Sequence, residues 1–165
     1  MELVILISGS GTNLQAVIDK INSHELDARI CRVISNRKGA YGLQRAADAG
    51  IPVSYHNLLK YKSKHLATDE GVQAAREEYD HDLAQMILSE GPNVVACLGF
   101  LHVLSTKFLD PLRDAGVKVI NLHPALPGAF SGSVSVIYVC CWVLEPDLMP
   151  LLECDRTCIH SMERG

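Results

Sequence analysis

Short apolar runs alternate with amphipathic stretches along most of the chain. Five short apolar runs predict strands, and the first, which is nearly continuous, has the pattern of a strand buried on both faces. The five runs cover residues 2–8, 30–35, 51–55, 93–98 and 117–122. Between them, apolar residues recur every three or four positions, which predicts amphipathic helices. These helices cover residues 13–21, 40–49 and 71–89, and a fourth extends from a cap at 105 to about 115.

Individual residues indicate where these elements begin and end. Gly50 and Gly116 follow two of the helices, a common position for glycine, and Ser105 is the predicted cap of the last one. Pro52 favours an edge position for the third strand, and the polar, lysine-rich segment 56–69 predicts a surface loop. Strands that alternate with helices predict an α/β fold with a Rossmann-like, doubly wound, mostly parallel sheet.

The composition changes near residue 131. Residues 131–165 show no clean period beyond one apolar run, and they hold the single tryptophan and four of the six cysteines. We therefore predict a core over residues 1–130, whose Rossmann-like pattern is typical of a nucleotide-binding fold. The remaining tail, 131–165, is expected to be poorly ordered or not native to the fold.

Composition and charge narrow the function classes. With 165 residues, 48% hydrophobic residues and a formal net charge of −4, the chain predicts one globular domain and no duplex nucleic-acid partner. No secretory signal is recognisable, and the apolar run 134–144 is too short to span a bilayer as a helix. We expect a soluble, cytoplasmic protein. Cys31 and Cys97 lie in apolar runs and are expected to be reduced core residues.

Residues 8–15 (SGSGTNLQ) form a glycine-rich turn between the first strand and the first helix. The glycines let the backbone turn tightly and approach a ligand. Gly11, Thr12 and Asn13 lie beside the free N–H groups of the helix start, which predicts a phosphate site. The alternative is a structural turn in which Thr12 or Asn13 only caps the helix. The dinucleotide fingerprint G-x-G-x-x-G is not met, because Leu14 stands at its third glycine.

Two further motifs follow the fourth and fifth strands. Residues 98–104 (LGFLHVL) lie at the strand edge where open α/β sheets bind ligands, and they suit a flat heteroaromatic ring. The alternative is that Phe100 and Leu104 belong to the core. In residues 121–127 (NLHPALP), Asn121 and His123 point to the same side of an extended segment. Histidine exchanges protons near neutral pH and an amide stabilises an oxyanion, so this pair is a candidate catalytic centre unless the histidine is structural.

Together these segments resemble the glycinamide ribonucleotide formyltransferases of purine biosynthesis. The matching pieces are ISGSGTNLQ (7–15), VISNRKGAYGLQRAADAGIP (33–52), REEYDHDL (76–83), NVVACLGFLHVLS (93–105) and INLHPALPGAF (120–130). The resemblance implies transfer of a formyl group from the co-substrate 10-formyltetrahydrofolate to the amine of glycinamide ribonucleotide, on the route to IMP. It implies no metal, no nucleic acid and no membrane partner.

The resemblance also implies roles for individual residues. Gly11, Thr12 and Asn13 would hold the ribose phosphate of the substrate. Asn121 would bind the formyl oxygen, and His123 would donate a proton. The folate would be contacted by Arg76, Leu101, His102, Val103, Leu104 and Asn121. Residues 101–104 read LHVL where bacterial members resemble MRIL, which would alter the folate contacts.

The tail departs from the family. Family members continue with a helix and a strand pair whose loop carries an aspartate that orients the catalytic histidine, and residues 131–165 resemble none of this. We therefore expect impaired activity and stability, and a mispredicted or alternatively spliced gene model would explain the tail. A zinc site there is an alternative, although the spacing fits no common finger. Its ligands would come from Cys140, Cys141, Cys154, Cys158 and His160.

Two other functions stay open. One is a non-catalytic binder that keeps the phosphate turn and the folate loop. The other is a nicotinamide-dependent oxidoreductase, against which count the missing third glycine and the absence of an acid after the second strand, where Asn36 and Arg37 stand. The initial methionine just before the first strand favours a stand-alone enzyme, and no feature predicts the oligomeric state.

Overall fold

The five predicted strands form one parallel sheet in the computed structural model, which describes residues 1–122. They are β1 (Glu2–Ile7), β2 (Arg29–Ser35), β3 (Val53–Tyr55), β4 (Val94–Leu98) and β5 (Lys118–Leu122). The helices are α1 (Thr12–Asn22), α2 (Tyr41–Asp48), α3 (Leu58–Lys62), α4 (Asp69–Leu88) and α5 (Thr106–Asp114). The strand order is β3-β2-β1-β4-β5, and all neighbours are parallel. This confirms the predicted Rossmann-like fold.

Helices cover both faces of the sheet, as the apolar runs predict. Successive residues of a strand point to opposite faces, so β1 contributes alternate side chains to two separate cores. One core contains Leu3, Ile5 and Ile7 of β1 with Leu14, Val17 and Ile18 of α1 and Ala46 of α2. The other contains Val4 and Leu6 of β1 with Tyr61 of α3, Tyr79 and Leu83 of α4, and Phe108 and Leu112 of α5.

The prediction that residues 56–69 form only a surface loop is wrong, because α3 lies within them. Asn57 caps this helix, since its side-chain oxygen accepts the N–H of Leu59 at 2.9 Å. Tyr61 is 8% exposed and packs edge-on against Tyr79, with ring centroids 5.6 Å apart. The buried Tyr61 ring and the Asn57 cap therefore stabilise a helix in a segment that is polar by composition.

Two helix starts also differ in detail from the prediction. Helix α4 begins at Asp69 rather than 71, because Thr68 accepts the N–H of Gly71 at 3.1 Å and caps it. Ser105 does occupy the position before α5, but its side chain makes no capping bond. Its hydroxyl is buried and has no hydrogen-bond partner among the described residues.

Several predictions lie outside the described residues. They concern His123, the domain boundary at residue 130 and the whole tail. Within residues 1–122, no helix is both long enough and apolar enough to cross a membrane.

Candidate functional site

Three strand ends meet at a buried hydroxyl. The strand order changes direction between β1 and β4, and open α/β sheets bind ligands beyond the carboxyl ends of the strands at such a point. Ser8, which follows β1, is 2% exposed. Its Oγ accepts the N–H of Leu101 at 2.7 Å and donates to Oδ1 of Asn36 at 2.7 Å. Ser8 thereby joins the segments that follow β1, β2 and β4 at the edge where a ligand is expected.

The turn after β1 depends on a close contact between two glycines. Gly11 precedes α1 with φ 70° and ψ 31°, a left-handed conformation that favours glycine. A Cβ atom on Gly11 would lie 2.5 Å from Cα of Gly42 in α2. The N–H of Gly42 donates to the carbonyl of Gly9 at 3.1 Å. The starts of α1 and α2 therefore lie side by side because neither glycine carries a side chain.

The start of α1 has the electrostatic character of an anion site. The helix has neither a capping side chain nor an acidic residue in its first turn, so the positive end of its dipole is not compensated there. Thr12 and Asn13 are exposed at this end. Arg45 of α2 adds a cation, since its Nε donates to the carbonyl of Ser10 at 2.9 Å and its Nη1 to Oε1 of Gln15 at 3.2 Å. A phosphate group suits this combination of donors and positive charge.

An open depression of about 510 Å³ adjoins the same turn. Its walls come from the segments after β1 and β2 and from the start of α2, with Gly9, Ser10, Arg37 and Tyr41 among the lining residues. The guanidinium of Arg45 stacks over the Tyr41 ring at 4.9 Å from the centroid. The depression thus extends from the turn after β1 toward a second arginine, Arg37.

Residues 101–104, four of the six residues predicted to contact folate, divide into two exposed and two inward-facing side chains. Leu101 is 69% exposed and Val103 is 51% exposed, whereas Leu104 is 8% exposed and belongs to the core. The side chain of His102 is 9% exposed. Two large apolar side chains therefore face outward at the edge of the sheet, and the residues that alternate with them anchor the loop.

The anchor of this loop is Asp80 of α4, whose side chain is completely buried. Its Oδ1 lies 2.7 Å from Nε2 of His102, and its Oδ2 accepts the N–H of Ser105 at 2.7 Å. Two aromatic rings flank the imidazole of His102. The Tyr79 ring lies edge-on at 5.0 Å and the Phe100 ring at 6.0 Å between centroids.

Asn121 lies at the same sheet edge as this loop. It pairs with Cys97 in the register of β4 and β5, and it is partly buried. Because side chains alternate along a strand, Asn121 faces away from the core that contains Ile120 and toward the core that contains Val119 and Leu104. The amide is thus placed on the face of the sheet that α4 and the loop of residues 101–104 share.

Burial shifts the pKa of two groups behind the loop. Desolvation raises the pKa of the Tyr79 hydroxyl, and burial lowers the pKa of His56. The His56 ring stacks on Tyr79 at 4.4 Å, and its Nε2 lies 3.2 Å from the carbonyl of Tyr79. These groups are therefore neutral near pH 7, and they support the loop through packing rather than charge.

The structure brings most of the predicted site residues to one edge of the sheet. Gly11, Thr12 and Asn13 follow β1, residues 101–104 follow β4, and Asn121 lies in β5. Arg76 is exposed on α4, one helical turn before Asp80. His123 lies outside the described residues, so its place beside Asn121 in a catalytic centre stays a prediction.

Sequence reasoning missed three residues that build this edge: Ser8, Arg45 and Asp80. A charged residue within the apolar face of a long helix is the signal that could have indicated Asp80, because a buried carboxylate needs partners. Ser8 and Arg45 carry no comparable local signal. Within residues 1–122, no group of three or more metal-ligating side chains is present.

The sequence pattern of the formyl transferase family matches residues 1–142 of the chain. This chain belongs to the formyl transferase family. It is 51% identical over 132 residues to phosphoribosylglycinamide formyltransferase of Schizosaccharomyces pombe, covering 79% of this chain and 61% of that protein. It is 46% identical over 138 residues to the Saccharomyces cerevisiae enzyme of the same name, covering 82% of this chain and 64% of that protein. The chain thus spans less than two thirds of the length of these relatives.

Solved structures agree in fold. Glycinamide ribonucleotide transformylase 1 from Symbiobacterium toebii matches with a TM-score of 0.64 at 30% identity, covering 80% of this chain and 55% of that one. Phosphoribosylglycinamide formyltransferase from Coxiella burnetii, solved in complex with CHES, matches with a TM-score of 0.64 at 33% identity and the same coverage. The resemblance seen in the sequence is thereby confirmed.

Proposed function

We propose that this protein transfers a formyl group from 10-formyltetrahydrofolate to the amine of glycinamide ribonucleotide, in cytoplasmic purine biosynthesis. One observation carries the proposal. The chain belongs to the formyl transferase family. One edge of its sheet carries a turn suited to an anion after β1, an apolar loop after β4 and an asparagine in β5. This arrangement offers separate places for a phosphate, a folate ring and the reacting carbonyl.

The ribose phosphate of the nucleotide is assigned to the turn at Gly11, Thr12 and Asn13. The free N–H groups and the helix dipole attract a phosphate there. Arg45, which is bonded to the same turn at Ser10, strengthens the positive potential. Arg37, which lines the adjoining depression, extends it along the edge.

The folate is assigned to the loop that follows β4. The exposed Leu101 and Val103 offer an apolar surface for the pterin ring, and the backbone of residues 101–104 offers hydrogen-bonding groups. Arg76 is a cation on α4, and its guanidinium suits a carboxylate of the folate tail. His102 and Leu104 face inward and support this surface.

The chemistry is attack of the substrate amine on the formyl carbon. A C–N bond forms, negative charge develops on the formyl oxygen, and the bond from that carbon to N10 of the folate then breaks. The amine loses a proton and N10 gains one, with His123 as the proton donor. Asn121 donates its amide N–H to the developing oxyanion, a contribution of about 3 kcal/mol when such a donor is well placed.

The test is formyl transfer by the purified 165-residue chain at saturating substrate and formyl donor. Replacing Asn121 by alanine is expected to reduce kcat by roughly 10²- to 10³-fold, and His123→Ala by roughly 10²- to 10⁴-fold. The same assay tests whether activity is impaired relative to other members of the family. Transfer that persists unchanged in both variants would overturn the assignment of the centre.

A non-catalytic binder is the second candidate function. The turn after β1 and the loop after β4 contain neither Asn121 nor His123. They therefore favour ligand binding whether or not transfer occurs. Binding of both small molecules to the folded chain without any turnover would establish this function instead. Family membership favours either of these over the nicotinamide-dependent alternative.

A further inference from the structure

The carboxylate of Asp80 fixes both ends of a short loop segment. Oδ1 lies 2.7 Å from the His102 imidazole, and Oδ2 accepts the Ser105 N–H at 2.7 Å. These two partners are three residues apart in a segment that has no regular secondary structure. A single rigid group on α4 therefore determines the path of the backbone between them.

Burial makes this contact stronger than a surface pair. The Asp80 side chain is fully buried and that of His102 is 9% exposed. A buried carboxylate is costly unless it is hydrogen-bonded, and its bonds are roughly twice as strong as neutral ones. The position of Asp80 is itself fixed, because its neighbours Tyr79 and Leu83 are buried in the core on α4.

The anchoring decides which side chains the loop exposes. The backbone enters the loop at Leu101, whose N–H is held by Ser8 at 2.7 Å, and leaves it at Ser105, which is held by Asp80. With His102 bonded to Asp80, the alternate side chains Leu101 and Val103 face outward. Releasing His102 would free the loop to turn these apolar groups elsewhere.

We propose that Asp80 is a positioning residue for folate binding, which acts by holding His102 and Ser105 so that residues 101–104 present one fixed surface. This inference rests on the proposed function, because it takes folate as the occupant of that surface. Asp80 itself is buried and does not touch the ligand. Its role is to make the apolar surface preorganised, so that binding carries little cost of ordering the loop.

The test compares three variants of the full chain by calorimetric titration with 10-formyltetrahydrofolate and, separately, with glycinamide ribonucleotide. Asp80→Ala removes both acceptors. Asp80→Asn is the conservative variant, because asparagine can accept from the Ser105 N–H and donate to a neutral His102 ring. Asp82→Ala is the matched control, since Asp82 is an acid on the same helix that accepts from Tyr61 at 2.8 Å instead of from the loop.

We expect Asp80→Ala to weaken folate binding about tenfold or more, and Asp80→Asn to stay within about threefold of the original chain. Asp82→Ala is expected to bind folate normally, and nucleotide binding should change less than about twofold in all three variants. Equal folate affinity in Asp80→Ala and Asp82→Ala would overturn the inference. So would a loss of both ligands to the same extent in Asp80→Ala, because that result indicates general damage to the fold.

Amide NMR spectra recorded without ligand keep the inference separate from the proposed function. Absence of folate binding in the original chain would defeat the proposed function and with it the folate part of the inference. The positioning part is then judged by the amide resonances of residues 101–105. A shift confined to these residues in Asp80→Ala and absent in Asp82→Ala supports it, and unchanged resonances refute it.

Discussion

Replacing Gly11 by alanine is expected to lower the free energy of unfolding by about 2–5 kcal/mol. Two costs add up to this value. Gly11 has φ 70°, a left-handed conformation that costs an L-residue about 1–2 kcal/mol. The new Cβ would also lie 2.5 Å from Cα of Gly42, well inside the usual carbon–carbon separation of about 3.5–4.0 Å. Forcing the starts of α1 and α2 apart costs a further 1–3 kcal/mol or so, as in overpacked cores.

Two control variants separate these costs. Gly9 lies in the same turn, but a Cβ there would meet no heavy atom within 4 Å among the described residues, so Gly9→Ala should change stability by less than about 1 kcal/mol. Gly42→Ala introduces a contact at 2.5 Å with Cδ1 of Ile7 and one at 3.0 Å with Cα of Gly11. It tests the contact cost without the left-handed φ, so its effect should fall between the other two.

The assay is urea unfolding of the full chain followed by circular dichroism. With a slope of about 2 kcal/mol per molar urea, Gly11→Ala should lower the midpoint by roughly 1–2.5 M relative to the original chain. A midpoint equal to that of the original chain, at an unchanged slope, would refute the reasoning about both the turn and the glycine contact. A large effect of Gly9→Ala would show that the turn is sensitive for some other reason.

Three further predictions test the surroundings of the site. Burial lowers the pKa of His56, so the imidazole is protonated at a higher pH in the unfolded chain than in the folded one. The contribution of His56 to stability is therefore complete above about pH 6.5 and is lost as the pH falls toward the lowered pKa. Thermal unfolding between about pH 5 and 7 should therefore depend less steeply on pH in His56→Gln, and an identical slope would contradict this. Tyr61→Phe removes the hydroxyl that donates to Asp82 at 2.8 Å and should cost about 1 kcal/mol in urea unfolding, whereas Tyr55→Phe at the 39% exposed edge position should cost less. Burial raises the pKa of Cys97 to about 12, so iodoacetamide should label Cys97 only after unfolding. Labelling is measured by peptide mass spectrometry, and rapid labelling of the native protein would show that the thiol is accessible.

The order of strands and helices could be predicted because local hydrophobic patterns indicate each element. An apolar run such as residues 2–8 has to be buried on both faces wherever it lies in the fold, and a parallel sheet with helices on both sides provides that burial. The turn at Gly11 could be predicted in the same way, because glycines let the backbone turn tightly between a strand and a helix. The short helix α3 was missed because one cap at Asn57 and one buried ring at Tyr61 are too few to form a pattern.

The sequence by itself determined the fold class, the family and the segments that line the proposed binding edge. The tertiary structure alone decided how those segments are held. Ser8 meets Leu101 across 93 residues of chain, and Asp80 meets His102 across 22. Such contacts leave no periodic trace, because they arise only where parallel strands end side by side and a long helix crosses behind them. For the same physical reason, the sequence indicated which residues could face a ligand but not which buried carboxylate directs them there.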